Sequence, residues 1–374
     1  MVGSAPVVVV GAGLMGAASA YSLARRGVPV TVLEQYLPGH PHGGSHGSAR
    51  IVRRAYGDPL YVGLTATAFA LWNEVSATAD AQLLRLHGAL DFGPGRDVPL
   101  VATLLSDAGV PHEVLSAAAA TDRFPGMRFT GDVLFHGQGG TLDADLAVTS
   151  MLRLAALAGA DVRTGAAVRA VHDDSVLLAD GTLLPARCVV VAAGGWVSPL
   201  LRDVVTLPPI TVTRQSVFHF PRRAAADAPW PSTIHELGGG AVYHLAGGRD
   251  GGSTDDRKIG KHDPGPVVAA GDVGPVDADV RAEIVDYVWT WLPGLTPEPR
   301  GETTCLYAAT PTEDFLLDRV GDVVVCSPCS GHGAKFAPLV GEYVAELVLG
   351  DGSSVPSRFR LATHHTARPG AVSL

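Results

Sequence analysis

The sequence lacks the features that mark several classes of protein. It has only 4 cysteines in 374 residues, which favours reduced thiols over a disulfide framework. No apolar run approaches the roughly 18 residues of a membrane-spanning helix. The N-terminal segment MVGSAP lacks the basic residues of a secretory signal peptide. These absences predict a protein of the cytoplasm without a membrane partner.

Charge is scarce and evenly spread. Charged residues make up 17% of the chain, and the net charge is −9 with both signs scattered. Nucleic-acid binding depends on clustered Lys and Arg, so nucleic acid is not an expected partner. Hydrophobic residues make up 47% of the chain, which excludes a disordered protein. At about 150 residues per domain, the length indicates about two domains. We expect a monomer or a small homo-oligomer.

A single C-x-x-C pair, Cys326 and Cys329, has no second pair and no histidine pair nearby. Zinc or redox chemistry is therefore the weaker interpretation, and we predict no metal site. Buried small side chains at a strand end are the stronger interpretation.

What the sequence does contain is a dinucleotide-binding motif near its start. Val7–Val10 predict a buried parallel strand. Gly11, Gly13 and Gly16 follow in the G-x-G-x-x-G spacing, which makes a tight turn, admits a pyrophosphate and lets a helix pack on the strand. An alanine-rich helix, a second strand and Glu34 at its end complete the unit. The carboxylate suits ribose hydroxyls and disfavours NADP, but the motif alone does not separate NAD from FAD.

The remaining pattern predicts an α/β fold, α+β overall: a Rossmann-type domain with an inserted, mainly antiparallel β-sheet domain that binds substrate. We expect a helix from about Thr65, short strands over 84–143, one strand over Asp161–Val171 and a hairpin at Asp180-Gly181. We also expect a mobile loop or hairpin tip over Gly238–Ser253. The predicted cofactor domain comprises 1–83, 144–207 and 303–374, and the substrate domain comprises 84–143 and 208–302.

Several blocks resemble the monomeric sarcosine oxidase and N-methyltryptophan oxidase family of flavoenzymes, within the wider D-amino-acid-oxidase-like fold. The blocks run nearly from end to end: GAGLMG, Gly44–Tyr61, VVVAAGGW, RKIGKH, Cys305–Asp318 and SGHGAKFAP. The resemblance implies FAD rather than NAD, with Glu34 on the adenosine ribose. It also implies that Cys305 is joined by a thioether to the flavin 8α-methyl group, against the alternative of a buried structural cysteine.

The same resemblance assigns roles around the flavin. Lys258, in the K-x-G-x-H motif, is the residue held over the flavin that activates oxygen, whereas Arg257 and Lys261 are expected in solvent. His262 stands beside the substrate or is merely structural, and Tyr307 lies near the substrate. Implied contacts to FAD come from Gly11, Gly13, Leu14, Met15, Gly16, Glu34, Gln35, Ser45, His46, Arg50, Val168, Ala193, Gly194, Trp196, Cys305, Gly331, His332, Gly333 and Lys335.

A carboxylate clamp is implied by Arg53 and Lys335, because a guanidinium fork and an ammonium both suit a carboxylate. Arg50, one turn earlier if the segment is helical, is expected with His46 to tune and attach the flavin, and Arg54 is expected at the surface. The residues Gly331, His332 and Gly333 are expected to supply backbone donors to the flavin pyrimidine oxygen.

Four departures from the family pattern concern substrate shape. Ala334 and Lys261 stand where relatives carry aromatic residues, and Cys329 stands where an apolar or aromatic residue is usual. The glycine-rich Gly238–Ser253 segment does not resemble the family's segment. The exact amine therefore stays open.

The sequence predicts an FAD-dependent oxidase of the C–N bond of a carboxylate-bearing secondary amine, either an N-methyl or a cyclic imino acid. It would produce an imine and, with oxygen, hydrogen peroxide. One alternative is a biosynthetic imine-forming or aromatising oxidase of a cyclic amino acid. Another is a flavin-binding subunit without turnover, which should have lost Lys258 or Arg53. An NAD-linked dehydrogenase does not account for Cys305 in its matching block.

Overall fold

The computed structural model describes residues 5–223, 230–250, 256–263 and 265–366. Its strands are β1 Val7–Val10, β2 Val30–Glu34, β3 Arg50–Val52, β4 Leu84–Leu86, β5 Ala89–Phe92, β6 Glu113–Leu115, β7 Val133–His136, β8 Gly140–Leu142, β9 Asp161–Thr164, β10 Val168–Val171, β11 Ser175–Leu178, β12 Leu183–Pro185, β13 Cys188–Val191, β14 Thr211–Phe220, β15 Ser232–Glu236, β16 Ala241–Ala246, β17 Arg257–His262, β18 Gly301–Ala309, β19 Leu316–Val320 and β20 Val323–Ser327.

The helices alternate with these strands. They are α1 Leu14–Ala24, α2 Pro59–Ala79, α3 Val98–Asp107, α4 Ala117–Arg123, α5 Ala144–Leu157, α6 Val197–Leu201, α7 Ala278–Trp291, α8 Ala337–Leu349 and α9 Leu361–Thr366. Short 3-10 helices cover Gly194–Trp196, Gly333–Phe336 and Ser357–Phe359. Among the described helices, none combines the length and apolarity that crossing a bilayer requires.

A six-stranded sheet has β1 near its centre, in the order β19-β20-β13-β1-β2-β9. All of its pairings are parallel except that of β19 with β20. Successive valines of β1 point to opposite faces, so Val7 and Val9 join one core with α1 and α8, while Val8 and Val10 join a second core. Burial on both faces explains why this strand is apolar throughout.

An eight-stranded sheet has the order β18-β14-β17-β16-β15-β5-β7-β6. Its pairings are antiparallel except for the parallel pair of β15 with β5. Phe218, Phe220 and Ile259 pack on one face with Ile284 and Val288 of α7. The parallel and antiparallel sheets together confirm the predicted fold class; the domain boundaries stay a prediction.

Local elements differ from the sequence predictions where tertiary context decides. Helix α2 begins before Thr65, because Asp58 caps it by accepting the Leu60 N–H and Pro59 starts the first turn. The expected strand over Asp161–Val171 divides into β9 and β10, which belong to different sheets.

Two further differences lie in the antiparallel region. The structure adds α3 and α4 among the short strands predicted over 84–143. Of the mobile loop or hairpin tip expected over Gly238–Ser253, a hairpin tip is present, because the Leu237 N–H donates to Gly240 O between β15 and β16. The segment then continues as strand β16, which was not expected, and its last three residues, 251–253, lie outside the described residues. The predicted hairpin at Asp180-Gly181 is present between β11 and β12.

Candidate active site

A cavity of about 510 Å³ is lined by residues from both large sheets. All of the catalytic candidates line it: Arg53, Lys258, His262, Tyr307 and Lys335. Every cofactor candidate lines it too, with the exception of Gly16, which lies beneath the glycine turn. The structure therefore brings together residues that the sequence places at both ends of the chain.

One end of the cavity is the glycine turn between β1 and α1. Gly11 has a φ of +97°, and a Cβ there would lie 2.7 Å from Ala192 O. A Cβ on Gly16 would lie only 1.8 Å from Gly11 O, so the turn closes only because both side chains are hydrogen atoms. The N-terminal end of α1 faces the cavity, and its positive end suits phosphate groups.

Glu34 ends β2 beside this turn. Its carboxylate accepts the Ala12 N–H at 2.8 Å and the Tyr36 N–H at 2.9 Å, and His40 Nε2 lies 3.4 Å away. Burial alone would raise the pKa of Glu34, but hydrogen bonds from His40, Ala12 and Tyr36 outweigh it and lower the pKa. The carboxylate is therefore ionised and retains acceptor capacity for ribose hydroxyls. The glycine turn and this acceptor fit a dinucleotide.

Cys305 lies on β18, where its side chain is buried against Arg50. The Arg50 Nη2 donates to Cys305 Sγ at 3.7 Å. Burial would raise the pKa of the thiol, but Arg50, a hydrogen bond with His46 and the charge of Lys258 lower it to about 6. A thiol of this kind is largely the nucleophilic thiolate at neutral pH. Arg50 itself lies on β3, so the helical turn considered from the sequence is wrong.

Lys258 lies on β17, and its Nζ donates to Ala49 O and to Asp250 Oδ2, both at 3.2 Å. Burial and then the charge of Arg50 lower the pKa of Lys258 to about 8. The neighbouring Arg257 is also buried, because its side chain points to the other face of the strand, where it donates to Trp230 O and Pro231 O. The expectation that Arg257 lies in solvent is therefore wrong.

Arg54 also contradicts the expectation from the sequence, which was that it lies at the surface. It is buried, and it donates to Thr65 Oγ1 at 2.6 Å and to Gln138 Oε1 at 2.7 Å. The sequence places it next to Arg53 with no periodic signal to distinguish the two. Only the packing of α2 beneath it makes Arg54 part of the interior.

The two clamp candidates meet on one aromatic ring. The Arg53 Cζ lies 4.5 Å from the centroid of the Tyr56 ring, and Lys335 Nζ lies 5.4 Å from it. Lys335 belongs to the short 3-10 helix before α8; its Nζ donates to His332 O at 2.8 Å, while Trp72 Nε1 donates to its carbonyl at 2.8 Å. Burial, followed by repulsion from Arg53, lowers the pKa of Lys335 well below its ordinary value.

Asp91 is a site residue that sequence reasoning missed. It lies on β5, fully buried, 3.3 Å from Arg53 Nη1 and 2.6 Å from Arg96 Nη2. Arg96 continues the network to Glu236 at 2.7 Å. The acidic residue in the otherwise apolar segment GALDFG was the available signal, because buried charges are usually paired.

His262 and Tyr307 face each other across a ring separation of 5.9 Å at the same end of the cavity. A Cβ on Gly331 would lie 2.6 Å from His262 and 2.7 Å from Tyr307, so this glycine lets the segment pass close to both. Burial, with the charges of Lys335 and Arg53, lowers the pKa of His262 to about 4. The imidazole is therefore neutral at physiological pH.

The backbone after Gly331 differs from the expectation. The N–H groups of His332 and Gly333 both donate to Cys329 O, at 3.0 and 2.9 Å, within their own turn. The His332 ring packs among Tyr61, Phe315 and Phe336, and its Nε2 lies 3.0 Å from Glu313 O. Two of the three expected cofactor donors are therefore engaged locally.

The C-x-x-C pair does not assemble a metal site in the described part of the chain, where no group of three or more His, Cys, Asp or Glu side chains could hold an ion. Cys326 is buried on β20, and burial raises its pKa to about 12. Cys329 Sγ accepts the Ala308 N–H at 3.4 Å. Cys326 packs in the hydrophobic core, as the stronger interpretation expects, whereas Cys329 is half-buried and lines the cavity.

Comparison with known proteins gives a family match over residues 6–347, to the family described as FAD dependent oxidoreductase (DAO). A curated relative is N-methyl-L-tryptophan oxidase of Salmonella newport, which is 30% identical over 372 residues, covering 95% of this chain and 98% of the relative.

Solved structures share the fold. NikD, described as an unusual amino acid oxidase essential for nikkomycin biosynthesis, has a TM-score of 0.83 at 24% identity, over 95% of this chain and 96% of its own. L-proline dehydrogenase from P. horikoshii has a TM-score of 0.82 at 21% identity, over 97% of this chain and 98% of its own.

Proposed function

The chain belongs to the family of FAD-dependent oxidoreductases, and from that premise we propose that it oxidises the C–N bond of a secondary-amine amino acid. The substrate would be an N-methyl or a cyclic imino acid, and the products an imine and, with oxygen as acceptor, hydrogen peroxide. The observation that carries this proposal is the convergence of Arg53 and Lys335 on Tyr56, in the cavity that also holds the glycine turn.

The residues present fit FAD. The turn is packed so closely that only glycine fits at Gly11 and Gly16, as a dinucleotide-binding turn requires, and Glu34 offers an ionised acceptor beside it. When bound, FAD supplies a two-electron acceptor that molecular oxygen can regenerate. Cys305 is the residue through which we propose covalent attachment, because its buried thiol is held near Arg50 and has a lowered pKa.

The carboxylate of the substrate would lie between Arg53 and Lys335. Arg53 supplies a planar fork and Lys335 a single ammonium, so an anion relieves the repulsion between them. Asp91 holds Arg53 from behind at 3.3 Å and fixes the direction of the fork. The clamp therefore selects amino acids over simple amines.

The amine would lie on the side of the clamp lined by His262 and Tyr307. The neutral His262 adds no charge there, whereas Lys258 and Arg53 are cations lining the same cavity. Cations close to a substrate amine lower its pKa and favour the unprotonated form. Oxidation needs that form, since its lone pair is free, so no separate base is required.

For the cellular location and the partners we keep the sequence predictions. All four cysteines are free, which fits a reducing compartment, and we keep the cytoplasm as the proposed location.

A panel of N-methyl and cyclic amino acids assayed for peroxide tests the proposal. The sharpest pair is an N-methyl amino acid and the amine formed by removing its carboxylate. We expect kcat/KM to favour the amino acid by at least about ten- to a hundredfold, the value of one charge-assisted contact. Equal values would contradict the amino-acid assignment and leave a simple amine oxidase.

A further inference from the structure

The segment after β16 folds back onto the segment before β3. The Ser48 N–H and hydroxyl both donate to Asp250 Oδ1 at 2.6 Å. In return, the Arg249 N–H donates to Ser48 Oγ at 2.6 Å. Arg249 also forms an ion pair with Asp143. Asp250 is therefore held by several contacts although it lies in the glycine-rich stretch to which the sequence assigned no role.

Two glycines make this contact possible. A Cβ on Gly248, whose φ is +68°, would lie 2.4 Å from Ser48 Oγ. A Cβ on Gly47, whose φ is +92°, would lie 2.7 Å from Asp250 Oδ2. The two segments approach to distances that only glycine allows, and this approach brings Asp250 to the cavity wall.

The second oxygen of Asp250 faces Lys258. Asp250 Oδ2 lies 3.2 Å from Lys258 Nζ, and the two side chains are only 17% and 7% exposed. Lys258 Nζ also donates to Ala49 O, a residue adjacent to Ser48. The ammonium is thus fixed by two acceptors that belong to the same pair of segments.

Other charged and titratable groups face Lys258 from the elements around it. Arg50 on β3 opposes its positive charge, and the Cys305 thiolate on β18 favours it. His219 on β14 is paired with Lys258 across the sheet, and burial followed by the charge of Lys258 lowers its pKa to about 4, so it is neutral. Asp250 is the nearest opposite charge. Burial would raise the pKa of Asp250, but Lys258 and Ser48 outweigh it and lower that pKa.

We propose that Asp250 is a positioning residue for Lys258, holding its ammonium at one place in the cavity and keeping it protonated. The proposal rests on the proposed function and on the position over the flavin that the family resemblance implies for Lys258. A negative charge beside Lys258 also offsets part of its field. Asp250 therefore has two effects on how strongly Lys258 attracts an anion. At low pH its negative charge weakens the attraction, and at higher pH it preserves the attraction by keeping Lys258 protonated.

Sulfite binding to the flavin-loaded protein separates these effects, because sulfite is an anion whose binding to flavin bleaches the flavin absorbance. The affinity is measured on both sides of the Lys258 pKa of about 8. Asp250→Asn should bind sulfite more tightly than the wild type at low pH and more weakly at high pH, with the midpoint lowered by about one unit. A purely structural role would weaken binding at every pH, and either that result or coincident curves would overturn the proposal.

Matched variants assign the signal. Asp145→Asn is the control, since Asp145 also binds the segment before β3, where it accepts the Gly47 N–H at 2.8 Å, but it is not a partner of Lys258. The pH dependence of sulfite binding to this variant should coincide with that of the wild type. In Lys258→Met, the only pH dependence of the affinity that remains should be that of the protonation of sulfite itself. Ser48→Ala removes the hydroxyl that orients Asp250 and should shift the midpoint in the same direction by less.

A second readout needs no flavin. The pH dependence of acylation of Lys258 by a small reagent, followed by mass spectrometry, reports its protonation in flavin-free protein. Asp250→Asn should be acylated at lower pH than the wild type. If the wild type binds no flavin but this shift is present, the proposed function fails and the role of Asp250 stands. If flavin binds and neither midpoint shifts, only the role of Asp250 fails.

Discussion

The two large sheets meet the cavity with different chemistry. At the end of β1 the six-stranded sheet presents glycines and backbone N–H groups, and its one nearby charge is Glu34. The eight-stranded sheet presents Lys258 and Cys305 to the cavity, and its Asp91 lies buried behind Arg53 in an ion pair. The glycine turn and Glu34 therefore come from one short stretch of sequence. The charged side chains of the proposed reaction, such as Arg53 and Lys335, come from distant segments.

The largest effect on this difference between the two sheets is expected from a substitution at Cys305. Cys305→Ala removes the thiol whose pKa Arg50, His46 and Lys258 lower to about 6 against the effect of burial. If the antiparallel side attaches the flavin, all acid-stable flavin should be lost while dissociable flavin still binds at the glycine turn. Acid precipitation followed by absorbance of the pellet measures this.

The matched control is Cys326→Ala, because Cys326 is a buried thiol whose pKa burial raises to about 12. This variant should keep its colour after precipitation. Wild-type protein that releases all of its flavin in acid would contradict covalent attachment.

The next largest effect concerns the clamp. Arg53→Ala should weaken binding of a small carboxylate, such as acetate, by about ten- to a hundredfold, since one charge-assisted contact contributes about 1.5–3 kcal/mol. Lys335→Ala should weaken it less, because a guanidinium can bind a carboxylate through two hydrogen bonds. Perturbation of the flavin spectrum by the ligand gives the affinity.

Arg54→Ala serves as the control, since Arg54 is the adjacent buried arginine but donates to Thr65 and Gln138. It should leave the ratio of kcat/KM between an amino acid and its decarboxylated amine unchanged. An equal fall in this ratio for Arg53→Ala and Arg54→Ala would show that general packing, rather than the clamp, recognises the carboxylate.

A smaller effect tests the packing of the parallel side. Gly16→Ala places a Cβ 1.8 Å from Gly11 O, and overpacking of this kind costs about 1–3 kcal/mol of the free energy of unfolding. Gly63→Ala lies in α2, where a Cβ would meet no atom within 4 Å, and should stabilise by about 0.5–1 kcal/mol. Chemical denaturation measures both. Changes of the same sign would contradict the close-contact account of the glycine turn.

The same comparison explains what the sequence could predict. The glycine turn, β1 and the hairpin at Asp180-Gly181 were predicted because each signal is local: residue spacing, an apolar run or a turn dipeptide. The pairing of Asp91 with Arg53, or of Asp250 with Ser48, joins residues far apart in the chain. No local pattern encodes such pairs. The burial of Arg257 was missed for a similar reason, because alternation along β17 has meaning only once the strand is recognised.

A further effect, seen only at low pH, is acid sensitivity of the antiparallel side. Burial lowers the pKa of His87, His136, His219 and His235 to about 4. An unfolded histidine has a pKa of about 6.5 and takes up a proton that the folded one refuses. The stabilisation is therefore complete above pH of about 6.5 and is lost as the pH falls towards 4, by up to about 1.4 kcal/mol per pH unit for each histidine.

Hydrogen exchange at decreasing pH checks this, with protection corrected for intrinsic exchange. Strands β7, β14 and β15 should lose protection before β1 and β13, because the six-stranded sheet contains no histidine. The variant His136→Leu should flatten the pH dependence by about one proton. If β1 lost its protection from exchange before these strands, the acid-sensitive groups would not be the histidines of the antiparallel side.

The clamp on Tyr56 also bears on turnover. Oxidation of a C–N bond leaves the carboxylate of an amino acid unchanged, so Arg53 and Lys335 would hold the imine product by the same contacts as the substrate. Recognition through the unreactive end of a molecule lowers the energy of substrate and product alike. An enzyme built this way would hold its product by the contacts that select its substrate, so we expect the product to compete with the substrate for the site.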